Sequence, residues 1–273
     1  MAHIMPENKP GWNGRTRPTN FPSSRTHGRP QIHTLSSMTP VSANSPRHDA
    51  RATVPYDRGP RPIFRGRLHE IAAIYFAGTC TALVATTAAL HNSATFIAAI
   101  VLYCVCLLGM LAVSALYHRV PWHTKRAVDI WRRADHSMIA IFIAGTYAPV
   151  AVYAFNSMSD GLWILPTAWI AAGGAVAINL LWPNHPRWVD VVIYLVLGWL
   201  VVVKATALVS LVPVAALVLI IVGGVIYSLG AVVYGIQRPN PSERWFGFHE
   251  VFHASTIIAA ALHHIAIWLL AVG

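Results

Sequence analysis

From Glu70 onward the chain is a succession of apolar segments about 20 residues long, separated by short polar stretches. A helix rising about 1.5 Å per residue needs about 20 residues to cross the roughly 30 Å of hydrocarbon in a bilayer. The segments fall near 70–90, 95–117, 135–154, 163–182, 187–209, 212–235 and 249–271. The fold class is therefore all-α, a polytopic membrane protein with seven transmembrane helices. Composition agrees: 55% of residues are hydrophobic and only 11% charged, against roughly a quarter charged in soluble domains.

An odd number of spans puts the termini on opposite sides, and charge gives the direction. Arg58, Arg61, Arg65 and Arg67 precede the first span, Arg119, Lys125, Arg126, Arg132 and Arg133 lie between the second and third, Arg187 follows the fourth, and Arg238 and Arg244 follow the sixth. The loops at HNSA, NSMSDG and LVSLVP carry no Lys or Arg. By the positive-inside rule the N-terminus is cytoplasmic and the C-terminus outside. Lys204 lies within the fifth span and is expected to snorkel to the surface. The net charge of +10 belongs to the N-terminal tail and to these loops, so it does not point to nucleic acid.

Residues 1–60 are rich in Pro, Ser, Arg, Asn and Thr, lack apolar periodicity and read as a disordered basic tail. They show no short apolar run before a small-residue cleavage site, so no secretory signal is expected, and Met38 offers an alternative start. Residues 62–273 form the membrane domain. Cys80, Cys104 and Cys106 fall inside spans without disulfide or thiolate-zinc spacing, and read as small buried apolar residues.

Three polar clusters stand at the ends of these spans: SALYH (Ser114 to His118), Asp135-His136 in RRADHS, and HEVFH (His249 to His253). Polar groups in or beside hydrocarbon are costly without partners, so they are functional candidates. Span two ends inside at His118, while spans three and seven begin inside at Asp135 and His249, so all three clusters meet at one depth. Ser114 and His118 are four residues apart, as are His249 and His253, which puts each pair on one helix face. Two histidines at that spacing can chelate one ion, and a third from a neighbouring helix leaves a fourth position open. Three imidazoles suit Zn²⁺ better than Ca²⁺ or Mg²⁺, with Cu, Fe and Ni remaining open.

Plainer readings exist for each residue. One interfacial histidine is commonly an amphipathic anchor. Asp135, opening a helix, could simply cap it. His136 and His123 read as loop residues, and HEVFH also matches the H-E-x-x-H of zinc peptidases, with Glu250 as base.

SALYHR, RRADHSMIAIFIAGTYAPV and FGFHEVFHASTIIAAALHH together resemble the haemolysin III branch of the progestin and adipoQ receptor family, over about residues 62–273. The resemblance implies a zinc ion held by His118, His249 and His253, with Ser114 and Asp135 near its water. Glu70 matches a first-span glutamate of that family, but Ala73 and Ala77 stand where an asparagine and a histidine are usual. The implied activity is hydrolysis of lipid amides with Asp135 and Ser114 as catalytic groups, and a role in membrane homeostasis, in a multi-pass protein of the plasma (inner) membrane with lipids as its partners. A receptor or regulator with a structural zinc, and a cytolytic protein, are the alternatives. No charged ring or polar face along a span marks a conducting pore.

Overall fold

The structure is a computed structural model describing residues 54–273; the expected tail, up to residue 53, lies outside the described residues. Eight α-helices follow in order: α1 (Arg67–Leu90), α2 (Ala94–Arg119), α3 (Lys125–Ala154), α4 (Ile164–Leu181), α5 (Arg187–Gly198), α6 (Ala205–Leu211), α7 (Val214–Ile236) and α8 (Phe248–Val272). Six of these, together with the joined segment Arg187–Leu211, make seven stretches long and apolar enough to cross a membrane. No β-strand occurs among the described residues beyond one bridge pairing Ser242 with Phe246.

Local chemistry sets the ends. Ser93 and Thr124 accept the Phe96 and Ala127 amides and so start α2 and α3, while Pro186 and Pro213 stand just before α5 and α7, where a missing N–H costs nothing. The outer spans bury one stripe each, whereas α3 is buried on most sides. In α1 the buried residues are His69, Ala72, Phe76, Cys80, Leu83 and Thr87, three or four apart, while Ile71, Ile74 and Tyr75 face outward. An apolar outer face is what lipid requires. The helices close into a ring in which α1 packs on α2 and α8, α3 on α2 and α4, and α7 on α5 and α8, with α3 also touching α5 and α8. The α7–α8 crossing is tight because it uses small residues: a Cβ on Gly230 would lie 2.8 Å from Ser255 Cβ, and one on Gly223 would overlap the His263 ring. All three cysteines are buried and unpaired, as expected.

Two boundaries differ from the sequence pattern. α3 begins at Lys125, ten residues before the expected 135, because KRAVDIWRRA is a charged helix that continues the span beyond its apolar part. Asp135 therefore lies inside a helix capped by Thr124, and its expected capping role is corrected. His136 lies in the same helix rather than in a loop. The fifth span is not one helix: α5 ends at Gly198, a 3₁₀ turn covers Leu200–Lys204, and α6 resumes at Ala205. Tyr147 of α3 fills the break, its hydroxyl lying 2.7 Å from Leu197 O and 3.0 Å from Gly198 O and accepting the Val201 N–H at 3.1 Å. Lys204 reaches the exposed loop before α4, where its Nζ donates to Asp160 O at 2.8 Å beside the Phe155 and Trp163 rings.

Residues 54–66 run across the end of the ring where the Arg and Lys residues gather. The Tyr56 amide bonds to Trp122 O at 2.8 Å and that of Ile63 to Arg244 O at 3.0 Å. Arg58 and Arg61 donate to the carbonyls of Tyr117 and His118, at 2.8 and 3.3 Å. This strap ties the start of the first span to the loops before α3 and α8.

Candidate metal centre

His118 lies in the last turn of α2, and His249 and His253 in the first two turns of α8. Their placement depends on how α8 begins. Glu250 Oε2 accepts the Gly247 amide at 2.9 Å, Asn240 Oδ1 accepts that of Phe248 at 2.8 Å, and Arg65 of the strap clasps the Glu250 carboxylate. Glu250 is fully buried but does not line the histidine cavity. Its oxygens already serve Arg65 and the helix start, so the peptidase reading of HEVFH loses its base.

The three imidazoles converge as the spacing predicts, each offering a nitrogen within 4.8 Å of the others. His118 Nε2 and His249 Nε2 are 3.1 Å apart. Zinc–nitrogen bonds of about 2.0–2.1 Å at a tetrahedral angle separate two ligand nitrogens by about 3.3–3.4 Å. The donors thus have the type and spacing to hold one metal ion.

Asp135, reaching in from α3, puts Oδ2 3.6 Å from His118 Nε2. The side of the ring matters. A carboxylate that only orients a ligand histidine bonds its second nitrogen, the one turned away from the metal. Here that nitrogen, Nδ1 of His118, is buried without a partner, and Asp135 stands at the nitrogen that faces His249. Ser114, one turn before His118, is buried with its Oγ also unpaired. Both line the same small cavity as His249 and His253.

A larger cavity of about 130 Å³ adjoins it between α3, α5, α7 and α8. The two share Met110, Ile139, Tyr194, Ala231, Phe252 and Thr256 in their walls. The larger wall is nearly all aliphatic and aromatic, so the space suits a hydrocarbon chain leading to a polar end.

Two features of this end were not legible in the sequence. His69, one residue ahead of the expected first span, is buried against His253 with the two rings stacked 3.9 Å apart at 8°. His136 and His185 bracket the buried carboxylate of Asp190 at 3.3 and 2.9 Å. Neither Asp190 nor His185 stands in a spacing pattern that could have marked it. Glu70, in contrast, pairs with Arg119 at 3.0 Å on the exposed face of α1, away from the histidines. His123 is exposed in the loop, as expected.

Seven membrane-crossing helices with a buried three-histidine site at one end define a class of heptahelical membrane proteins. The family model described as Haemolysin-III related matches residues 59–264, and the chain belongs to that family. A hemolysin-3 homolog of Bacillus subtilis (strain 168) is 29% identical over 174 residues, 64% of this chain and 78% of that protein. Hemolysin-3 of Bacillus cereus is 26% identical over 166 residues, covering 61% and 74%. The heptahelical transmembrane protein ADIPOR2 of rice (Oryza sativa subsp. japonica) is 28% identical over 174 residues, covering 58% and 75%, and the adiponectin receptor protein of Drosophila melanogaster is 25% identical over 210 residues, covering 70% and 45%.

Proposed function

We propose that this protein is a zinc-dependent hydrolase of lipid amides in the plasma (inner) membrane, acting in membrane homeostasis. The observation that carries the reading is the position of Asp135 beside the metal-facing nitrogen of His118, at 3.6 Å. His118, His249 and His253 would hold the zinc, which supplies a Lewis acid for a carbonyl oxygen and acidifies water toward a pKa of about 7. Asp135 would take the proton of the attacking water and pass it to the leaving amine, and the Ser114 hydroxyl would orient that water. The apolar chamber would seat the acyl chain and exclude bulk water. Asp135→Asn keeps size and shape but removes the base. Zinc content should survive while hydrolysis of ceramide-like lipids in reconstituted bilayers falls about 10²–10⁴-fold. No turnover above background by the zinc-loaded parent, across ceramide-like and phospholipid substrates, would sink the hydrolase.

One observation favours a second reading. The triad joins α2 to α8, which are separated in the ring by α1 on one side and α3 on the other. A metal there would also staple the bundle, as a non-catalytic receptor or regulator needs. Under that reading Asp135→Asn lowers zinc occupancy or thermal stability first. A cytolytic protein, the third class, would release haemoglobin from red cells in the same preparation.

For orientation, the basic end of the ring is proposed to face the cytoplasm. A reporter fused after Gly273 should then be outside and one inserted at 120–130 inside; a cytoplasmic C-terminal reporter would overturn it.

A further inference from the structure

Among the described residues, His69 is the one histidine with both ring nitrogens buried and unpaired. Gly66 enters α1 with φ 78°, and a Cβ there would lie 2.5 Å from His118 Cβ. Only glycine lets the strap press the first turn of α1 against α2. The turn carries His69 into the small cavity, 3% exposed, flat against the ring of His253. Neither of its ring nitrogens has a hydrogen-bond partner.

Two histidines farther along α8 behave differently. His264 has Tyr103 Oη at 3.2 Å and Trp268 Nε1 at 3.1 Å, and His263 has Ile220 O at 3.0 Å. Each has a hydrogen-bond partner supplied by the fold. A neutral imidazole has one donor and one acceptor, and leaving both unpaired in a dry interior is unfavourable. The unpaired Ser114 Oγ faces the same cavity. Unpaired groups from two helices around one cavity mark a space for a polar ligand.

His69 is also not a fourth ligand in this arrangement. A ring nitrogen binds a metal in the plane of its own ring, and the His69 plane is parallel to that of His253 and displaced from it by a ring's thickness. The group of nitrogens close enough to share an ion comprises His118, His249 and His253 without it.

We propose that His69 is a substrate-contacting residue: its ring N–H binds the carbonyl oxygen of an acyl amide whose chain occupies the apolar chamber. This rests on the hydrolase reading given above. The contact would hold the polar end of the lipid beside Asp135 and add a donor where negative charge grows on that oxygen. It also supplies from the first span a polar group at a position other than Ala73 and Ala77.

Two substitutions separate contact from packing. His69→Phe keeps a flat ring against His253 but removes both nitrogens, whereas His69→Gln keeps a donor and an acceptor but loses the stack. Zinc-loaded parent and variants would be titrated with a long-chain acyl hydroxamate, which offers a carbonyl and a metal-binding oxygen and needs no turnover. Metal content and amide hydrolysis would be measured on the same samples. We expect His69→Phe to retain zinc, bind the hydroxamate about tenfold more weakly and lose about 10²-fold in hydrolysis, with His69→Gln closer to the parent. Unchanged hydroxamate affinity in His69→Phe would make His69 a packing residue and overturn the proposal. Loss of zinc from His69→Phe in folded protein would also overturn it, by making His69 part of the metal's support. If the parent binds hydroxamate through His69 but hydrolyses nothing, the contact stands as an acyl-carbonyl site and the hydrolase reading fails alone.

Discussion

Helix α8 carries two pairs of histidines, and the contrast between them separates site from scaffold. His249 and His253 are one turn apart, share a face and look at a third imidazole from another helix. His263 and His264 are adjacent, so they point to different sides, and each finds a neutral partner in the fold, Ile220 O for one and Tyr103 with Trp268 for the other. The same residue type in the same helix forms a candidate ligand cluster at one end and packs into the scaffold in the middle. What differs is whether its nitrogens are already used.

The strongest way to break this contrast is to remove one member of each pair. His253→Ala should lose most of its zinc, from about one per chain in the parent, because two fixed donors remain of three. His264→Ala should keep its zinc and lose only stability, since Tyr103 and Trp268 are left without a partner. Equal zinc in both variants, by elemental analysis of detergent-purified protein, would abolish the distinction.

A smaller effect is expected where the strap holds the start of α8. Arg65→Met leaves the fully buried Glu250 carboxylate without its cation, and breaking a buried pair on one side costs about 3–5 kcal/mol. The loss should appear as a lower midpoint of thermal or denaturant unfolding. A double variant, Arg65→Met with Glu250→Gln, should recover part of it. No loss in the single variant would mean that the start of α8, and with it the His249–His253 pair, is placed without the strap.

The smallest effect concerns His185, in the loop between α4 and α5. Burial alone pushes its pKa down, but the Trp182 carbonyl at 2.6 Å and the Asp190 carboxylate at 2.9 Å outweigh burial and raise it. A histidine with a raised folded pKa contributes its full stability below the unfolded value of about 6.5 and loses it as pH rises through the folded value. The parent should therefore lose stability relative to His185→Gln as pH rises above about 6.5. A constant difference across that range would exclude the ionised pair.

The seven spans were legible because hydrocarbon thickness imposes a length and an apolar composition that few other folds require. The His118, His249 and His253 set was legible because helical spacing and the direction of each span fix both face and depth. His69 was not, since it has no sequence partner: its stacking neighbour His253 comes from α8, at the other end of the chain. The early start of α3 was hidden because charge reads as loop even when it continues a helix. The break in the fifth span was hidden because hydropathy counts side chains and not backbone bonds.

That break bears on how the protein is made. Segment 187–211 does not satisfy all of its own peptide groups; at the break, Leu197 O, Gly198 O and the Val201 N–H bond to the hydroxyl of Tyr147, a residue of the third span. Entering lipid alone, the segment would present these groups to hydrocarbon at a cost of several kcal/mol each. Synthesis delivers the third span first, so the partner is in place when the fifth leaves the translocation machinery. The order of the genetic text thus serves as an assembly instruction, and a circular rearrangement that placed the fifth span before the third would have to wait in the bilayer with its backbone unfinished.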